Sequence, residues 1–356
     1  MPASIKNRLA FEVARGVEVF LSVEAGVARK GGATKKKGAA WRSGRRASFD
    51  AGAQRLKRLG WRALAERGLG LRRVAGRSPG EALAPASRGG VNPENVVWIF
   101  GAGRSGSTWL ASMMGELEGQ HVWFEPWVGA LFDPHHLRLE ERRGRHFILS
   151  PHYKKTWLRS IKNFVLDGAN ARFPEITGRE YLVAKEPGGS VGAVLLAEAL
   201  PESRMVLLVR DPRDYTASWV DAHKEGGWRS GGEGPEDSTK RTAKVAQRYL
   251  HHVGEAKRAY DAHVGRKVLI RYEELRADAL GAMRRLYSEL EIAVDEGELA
   301  RVVDKYAWEN IPEEKKGPGK FYRKATPGSW REDLTPEQAK MVEEITAPLL
   351  KELYPV

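Results

Sequence analysis

A P-loop-type α/β fold, a parallel sheet flanked by helices, is what three observations predict for this 356-residue chain. Residues 96–100, Val-Val-Trp-Ile-Phe, form an apolar run of the length of a buried strand. A turn with Gly101, Gly103 and Gly106 follows, and residues 107–117 then read as a helix. Similar short apolar runs at residues 181–184 and 205–209 also pass into helical stretches, the succession of a parallel sheet with crossover helices.

The first of these units is a phosphate cradle by composition. Glycines let the backbone approach an anion, and unpaired amides at a helix start attract its charge. The spacing from Gly101 to Gly106 and on to Ser107-Thr108 is that of a nucleotide loop with one change. Such loops place a lysine before the hydroxyl residue to reach the outer phosphates of a triphosphate, with magnesium on the hydroxyl. Here that place is Ser107, and the basic residue is Arg104 inside the loop. The change argues against an ordinary ATPase or GTPase.

Charge is distributed unevenly. The chain has 59 Lys/Arg and 46 Asp/Glu. Residues 1–95 hold 20 of the bases but 7 of the acids, which leaves 39 of each for the rest. Lys35, Lys36, Lys37, Arg42, Arg45 and Arg46 lie in a Gly/Ala-rich tract with little to bury. Residues 53–74 have the pattern of a basic amphipathic helix, suited to acidic lipid or nucleic acid. Residues 1–90 are therefore expected to be a basic arm and linker, partly helical or disordered, that contacts acidic surfaces. Residues 91–356 are expected to be the catalytic domain.

No apolar run approaches the ~20 residues of a membrane span. Glu12, Glu18 and Glu24 interrupt any signal-peptide core. Cysteine is absent, which excludes disulfides and thiolate metal sites and fits a reducing cytoplasm, the expected location.

Along the folded part, residues 121–124 suit a short strand that Pro126 ends, leaving Glu125 where an open α/β sheet places ligands. Residues 133–177 contain His135, His136, His146 and His152 without metal-ligand spacing, and no metal is expected. The strand at 181–184 runs into Lys185-Glu186-Pro187. After the strand at 205–209, Arg210 and Ser218 are eight residues apart, and Pro212 suits a first helical turn. An arginine at a strand end and a serine on the next helix can meet one phosphate. The glycine-rich residues 226–235 are expected to be a loop over the site. Residues 313–319 read as a hinge, and Thr335-Pro336 as the cap of a last helix.

These motifs together resemble the sulfotransferases that use 3′-phosphoadenosine 5′-phosphosulfate (PAPS). Arg104-Ser105-Gly106-Ser107-Thr108-Trp109 resembles the family's 5′-phosphosulfate loop, and Arg210 with Ser218 its 3′-phosphate motif. Residues 268–275 resemble a later strand and a Tyr-Glu-Asp-Leu segment that places Tyr272 near the adenine. Arg323, Lys324, Gly328 and Trp330 match a C-terminal signature in which Ala325 replaces a glycine and Ser329 an aspartate. Ala325 retains the amide used on the 3′-phosphate, but its Cβ disfavours a glycine-type backbone.

The resemblance implies that Lys185 and Arg104 stabilise the transferring group, and that Trp109 offers a face to adenine. Cytosolic members carry a histidine as base where this chain has Pro187. The Phe124-Glu125-Pro126-Trp127 segment resembles carbohydrate sulfotransferases, where a glutamate is the base, and Glu125 lies 21 residues beyond Arg104. Glu125 is thus the expected base and Glu186 the reserve. The expected activity is transfer of a sulfonate from PAPS to an acceptor hydroxyl on a small molecule or carbohydrate. The alternatives are an ATP-dependent kinase-like phosphotransferase and a non-enzymatic protein that binds nucleic acid or membrane through its arm.

Overall fold

The computed structural model describes residues 90–137, 144–223 and 238–354. The basic arm and the glycine-rich loop at 226–235 lie outside the described residues. Five strands form one parallel sheet: β1 (Val96–Gly101), β2 (Gln120–Phe124), β3 (Tyr181–Lys185), β4 (Arg204–Val209) and β5 (Lys267–Arg271), in the order β2-β3-β1-β4-β5. Helices connect them in chain order: α1 (Ser107–Gly115), α2 (Pro134–Leu137), α3 (Lys154–Arg172), α4 (Ala193–Ala199), α5 (Pro212–Ala222) and α6 (Ser238–Ala262). After β5 come α7 (Tyr272–Ala277), α8 (Ala279–Glu289), α9 (Glu296–Lys305), α10 (Trp330–Asp333) and α11 (Pro336–Leu353).

The apolar runs become central strands because both of their faces are covered. All six residues of β1 and of β4 are buried. Successive side chains point to opposite faces. Val96, Trp98 and Phe100 therefore join one core with Leu182, Leu207 and Val209, closed by Trp157, Ile161 and Val165 of α3 and Tyr249 and Val253 of α6. Val97 and Ile99 join the other core with Val206, Leu208 and Ile270, closed by Leu110, Met113 and Met114 of α1 and Met283 and Leu286 of α8. Residues 133–177 contribute α3, whose apolar stripe is built into the first core.

Register then aligns the strand ends. Phe124 pairs with Lys185, Ile99 with Lys185, and Val209 with Arg271. Glu125, the glycine loop and Arg210 consequently leave the sheet along one edge, the carboxyl end where α/β ligands bind. Several boundaries differ by a residue or two from the sequence expectation. β3 continues through Lys185, because its N–H/C=O ladder extends to Glu125 N–H donating to Lys185 O at 2.8 Å. The helical stretch after β3 begins as a single tight turn, Ser190–Gly192, before α4. The last helix has the anticipated cap: the Thr335 hydroxyl accepts from Gln338 N–H, and the Gln338 side chain accepts from Thr335 N–H.

Gly101 shows how tightly the loop is seated on the sheet. Its φ is 147°, and a Cβ there would lie 2.1 Å from the Leu208 carbonyl oxygen. Gly101→Ala should lower stability by roughly 1–3 kcal/mol or more, the cost of forcing a side chain into such a conformation. Urea unfolding of the two proteins measures it, and equal midpoints would contradict the close packing.

Candidate active site

The loop between β1 and α1 is shaped by two left-handed residues, Arg104 with φ 73° and Gly106 with φ 86°. Gly106 faces the Tyr272 ring, which a Cβ would approach to 2.7 Å. Ser105 and Ser107 are buried, and Thr108 opens the helix beside them. A cavity of about 160 Å³ adjoins this loop, and Arg104, Gly106, Ser107, Thr108, Trp109, Glu125, Lys185, Arg210, Ser218, Tyr272, Arg323 and Lys324 all line it. The sequence-derived set thus converges on one cavity, apart from Ser105 and Glu186, which are buried and do not line it.

Lys185 is buried and donates to Glu125 Oε1 at 2.5 Å and Thr108 Oγ1 at 3.2 Å. Glu125 itself is partly open, with 41% of its side chain exposed. It holds φ 50°, and Trp127 two residues on holds φ 58°. This strained turn is fastened by Glu186. The Glu186 carboxylate, with no exposed surface, accepts from Trp127 N–H at 3.0 Å and Gly129 N–H at 2.9 Å. Glu125 and Glu186 are therefore separated by burial: one faces the cavity, and the other is committed to the backbone beneath it.

On the other side, the Arg210 guanidinium lies 4.3 Å from the Tyr272 ring centroid and donates to Arg104 O at 3.0 Å. Burial raises the Tyr272 phenol above its ordinary pKa. Ser218 Oγ accepts from Arg104 Nε at 3.1 Å, and Arg104 also donates to Phe321 O at 2.8 Å. Arg323 donates to Asp333 at 2.6 Å and to Ser329 Oγ at 3.2 Å, while Lys324 reaches Glu332 and Asp333. Ala325 adopts φ 51°, so the residue standing for glycine takes the left-handed backbone after all. Its carbonyl is held by Arg276 Nε at 3.0 Å.

The fit of an anionic adenosine nucleotide rests on one orphaned group of the cavity wall, Arg210 Nε, and on the charge around it. Among the described residues, Ser105 Oγ and Arg210 Nε are buried without a hydrogen-bond partner, a costly state unless another acceptor or donor meets them. Arginines and a lysine around a loop of amides form a donor set for phosphate. Asp211, the acidic residue a magnesium-dependent phosphotransferase would need, instead caps α5 by accepting from Arg213 N–H at 2.8 Å and pairs with the Arg213 guanidinium.

Arg276, Tyr306, Trp308 and Ile311 also line the cavity and were not anticipated. Arg276 follows Tyr272 by one helical turn and was detectable on that ground. Tyr306, Trp308 and Ile311 sit at and after the end of α9, where no periodicity marks them.

Fold and site together define a parallel α/β domain with a glycine loop beside a basic cavity at its sheet edge. The model described as "Sulfotransferase family" matches residues 97–296, and the chain belongs to that family. Cytosolic sulfotransferase 16 of Arabidopsis thaliana is 28% identical over 183 residues, covering 44% of this chain and 54% of that protein. The chain thus matches about half the length of this curated relative. Among solved structures, mouse sulfotransferase SULT7A1 complexed with PAP is 14% identical with a TM-score of 0.46, covering 72% of this chain and 85% of that one. Sulfotransferase STF9 from Mycobacterium avium is 19% identical with a TM-score of 0.44, covering 77% and 78%. No helix among the described residues is long and apolar enough to cross a membrane.

Burial pushes the Glu186 carboxyl from its ordinary 4.5 up to about 7; the Glu125 charge adds to this, while the two amide bonds and Lys185 oppose it. The folded chain therefore holds this proton more tightly than the unfolded one. The resulting stabilisation is complete below about pH 4.5 and is lost as pH rises through about 7. Glu186→Gln has no such proton, so its stability relative to wild type should improve by on the order of 3 kcal/mol between pH 4.5 and pH 8. Denaturant melts across that range test this, and a pH-independent difference would contradict it.

Proposed function

We propose that this chain transfers a sulfonate group from PAPS to an acceptor hydroxyl. The observation that carries the reading is the convergence of the Glu125–Lys185 pair with Arg104, Arg210, Arg323 and Lys324 on one cavity beside the glycine loop. PAPS supplies an electrophilic sulfur, whose bond to the 5′-phosphate oxygen breaks as the acceptor oxygen bonds to it. Amides and hydroxyls at Ser105, Gly106, Ser107 and Thr108 hold the 5′-phosphate at the α1 N-terminus. Lys185 and Arg104 bring fixed positive charge to the transferring group and the departing oxygen. Arg210, Ser218, Arg323 and Lys324 take the 3′-phosphate, while Trp109 and Tyr272 flank the adenine.

Glu125 is the general base. It reaches the cavity from a loop at the sheet edge, and it removes the acceptor proton across ~2.6–3.2 Å as sulfur is attacked. Glu186 has no open path to the acceptor. Phe124 and Trp127, half-exposed on either side of Glu125, favour an acceptor with a flat apolar face, and a sugar is the first choice. The reading places catalysis within residues 91–356 and gives the basic arm a separate role on acidic surfaces. A cytoplasmic location is part of it, supported by the relative whose name calls it cytosolic.

Glu125→Gln preserves shape but accepts no proton, so turnover should fall roughly a hundred- to ten-thousandfold. Affinity for 3′,5′-bisphosphoadenosine should change little. Near-normal turnover would transfer the role to another group.

The 3′-phosphate assignment is tested separately, by calorimetry. Arg210→Ala should weaken 3′,5′-bisphosphoadenosine about ten- to a hundredfold, the loss of a ~1.5–3 kcal/mol charge-assisted contact. Adenosine 5′-phosphate should be nearly unaffected. Equal losses for both ligands would remove Arg210 from the 3′-phosphate.

A further inference from the structure

The segment 323–330 carries Arg323, Lys324 and Ala325 into the cavity, yet most of it has no regular secondary structure. Something outside it must set its position. At Ala325 that role falls to Arg276. At its other end the partner is Asp214, a residue with no exposed surface. Its carboxylate accepts from Gly328 N–H at 2.6 Å and Trp330 N–H at 2.9 Å, with the Ser329 hydroxyl at 3.5 Å. Ser329 Oγ in turn accepts from Arg323. A fully buried carboxylate is tolerated where donors replace its water, and these donors come from the C-terminal segment.

Asp214 lies on α5, four residues before Ser218 and four after Arg210. Residues four apart share one helix face, so a single rigid helix carries Ser218 and the clamp on the Arg323–Lys324 segment, with Arg210 at its entry. We propose that Asp214 is a positioning residue that holds the Arg323–Lys324 half of the 3′-phosphate site at a set distance from the Arg210–Ser218 half. The proposal rests on the reading that the cavity takes the 3′-phosphorylated nucleotide. Asp214 touches no nucleotide in this arrangement; it acts through the Gly328–Trp330 amides and Ser329. Asp214→Asn would turn an N–H toward one of those amides and release the segment at that point.

The experiment is calorimetry of the full chain with 3′,5′-bisphosphoadenosine and with adenosine 5′-phosphate, alongside thermal melts. Wild type should prefer the bisphosphate. Asp214→Asn should reduce that preference about tenfold or more through loss of bisphosphate affinity, with adenosine 5′-phosphate binding changed less than about threefold. Arg323→Ala should reduce it comparably, and the double variant should lose little beyond Arg323→Ala alone, since the two residues act in series. Additive losses, or an Asp214→Asn protein that weakens both ligands equally, would overturn the proposal. If Asp214→Asn does not fold, Ser329→Ala removes only the hydroxyl link to Arg323 and should cut the preference about threefold or more. An unchanged preference there would also overturn it. A wild-type protein without any preference for the bisphosphate would sink the nucleotide reading itself, a distinct result.

Discussion

A buried ammonium organises this site. Lys185 ends β3 with almost no exposed surface, and a charge in that position requires partners. Its partners come from two other segments: Thr108 from the helix behind the glycine loop, and Glu125 from the end of β2. Parallel register brings all three to one edge, because Phe124 and Ile99 both pair with Lys185. The pair thereby ties the cradle to the carboxylate at the cavity. Without Lys185, Glu125 would be one more surface acid on an exposed turn.

Backbone strain is concentrated in the same place. Among the described residues, five non-glycine residues have positive φ, and four of them, Arg104, Glu125, Trp127 and Ala325, belong to the loops around the cavity. Each such conformation costs of order 1–3 kcal/mol and persists where the surroundings over-determine it. The surroundings here are identifiable. Glu186 holds the amides after Glu125, Arg276 holds the Ala325 carbonyl, and Arg210 holds the Arg104 carbonyl. Glu186, Arg276 and Arg210 thus each hold main chain at the rim of the cavity.

This division separates residues that look alike in the sequence. Glu125 and Glu186 both follow a short strand and both stand near a proline. The distinction between them is burial, since Glu186 turns under the Trp127–Gly129 backbone while Glu125 turns out. Asp211 and Asp214 differ in the same way. One caps α5 at its entry, and the other reaches across to a segment more than a hundred residues later.

The sequence alone determined the parallel α/β architecture, the strand-end positions of Lys185 and Arg210, and the glycine loop between the first strand and its helix. These features rest on local information: apolar run length, glycine spacing and helix-starting residues. The capped last helix was legible for the same reason. Tertiary structure decided which glutamate faces the cavity, that Ala325 adopts a left-handed backbone, that Arg276 and Trp308 line the cavity, and that Asp214 holds the Gly328 and Trp330 amides. Each of these depends on contacts between segments distant in sequence: Glu186 with Gly129, Arg276 with Ala325, Asp214 with Gly328. Pattern within a segment carries no record of such meetings, because they are created by strand register and by the packing of helices against the sheet.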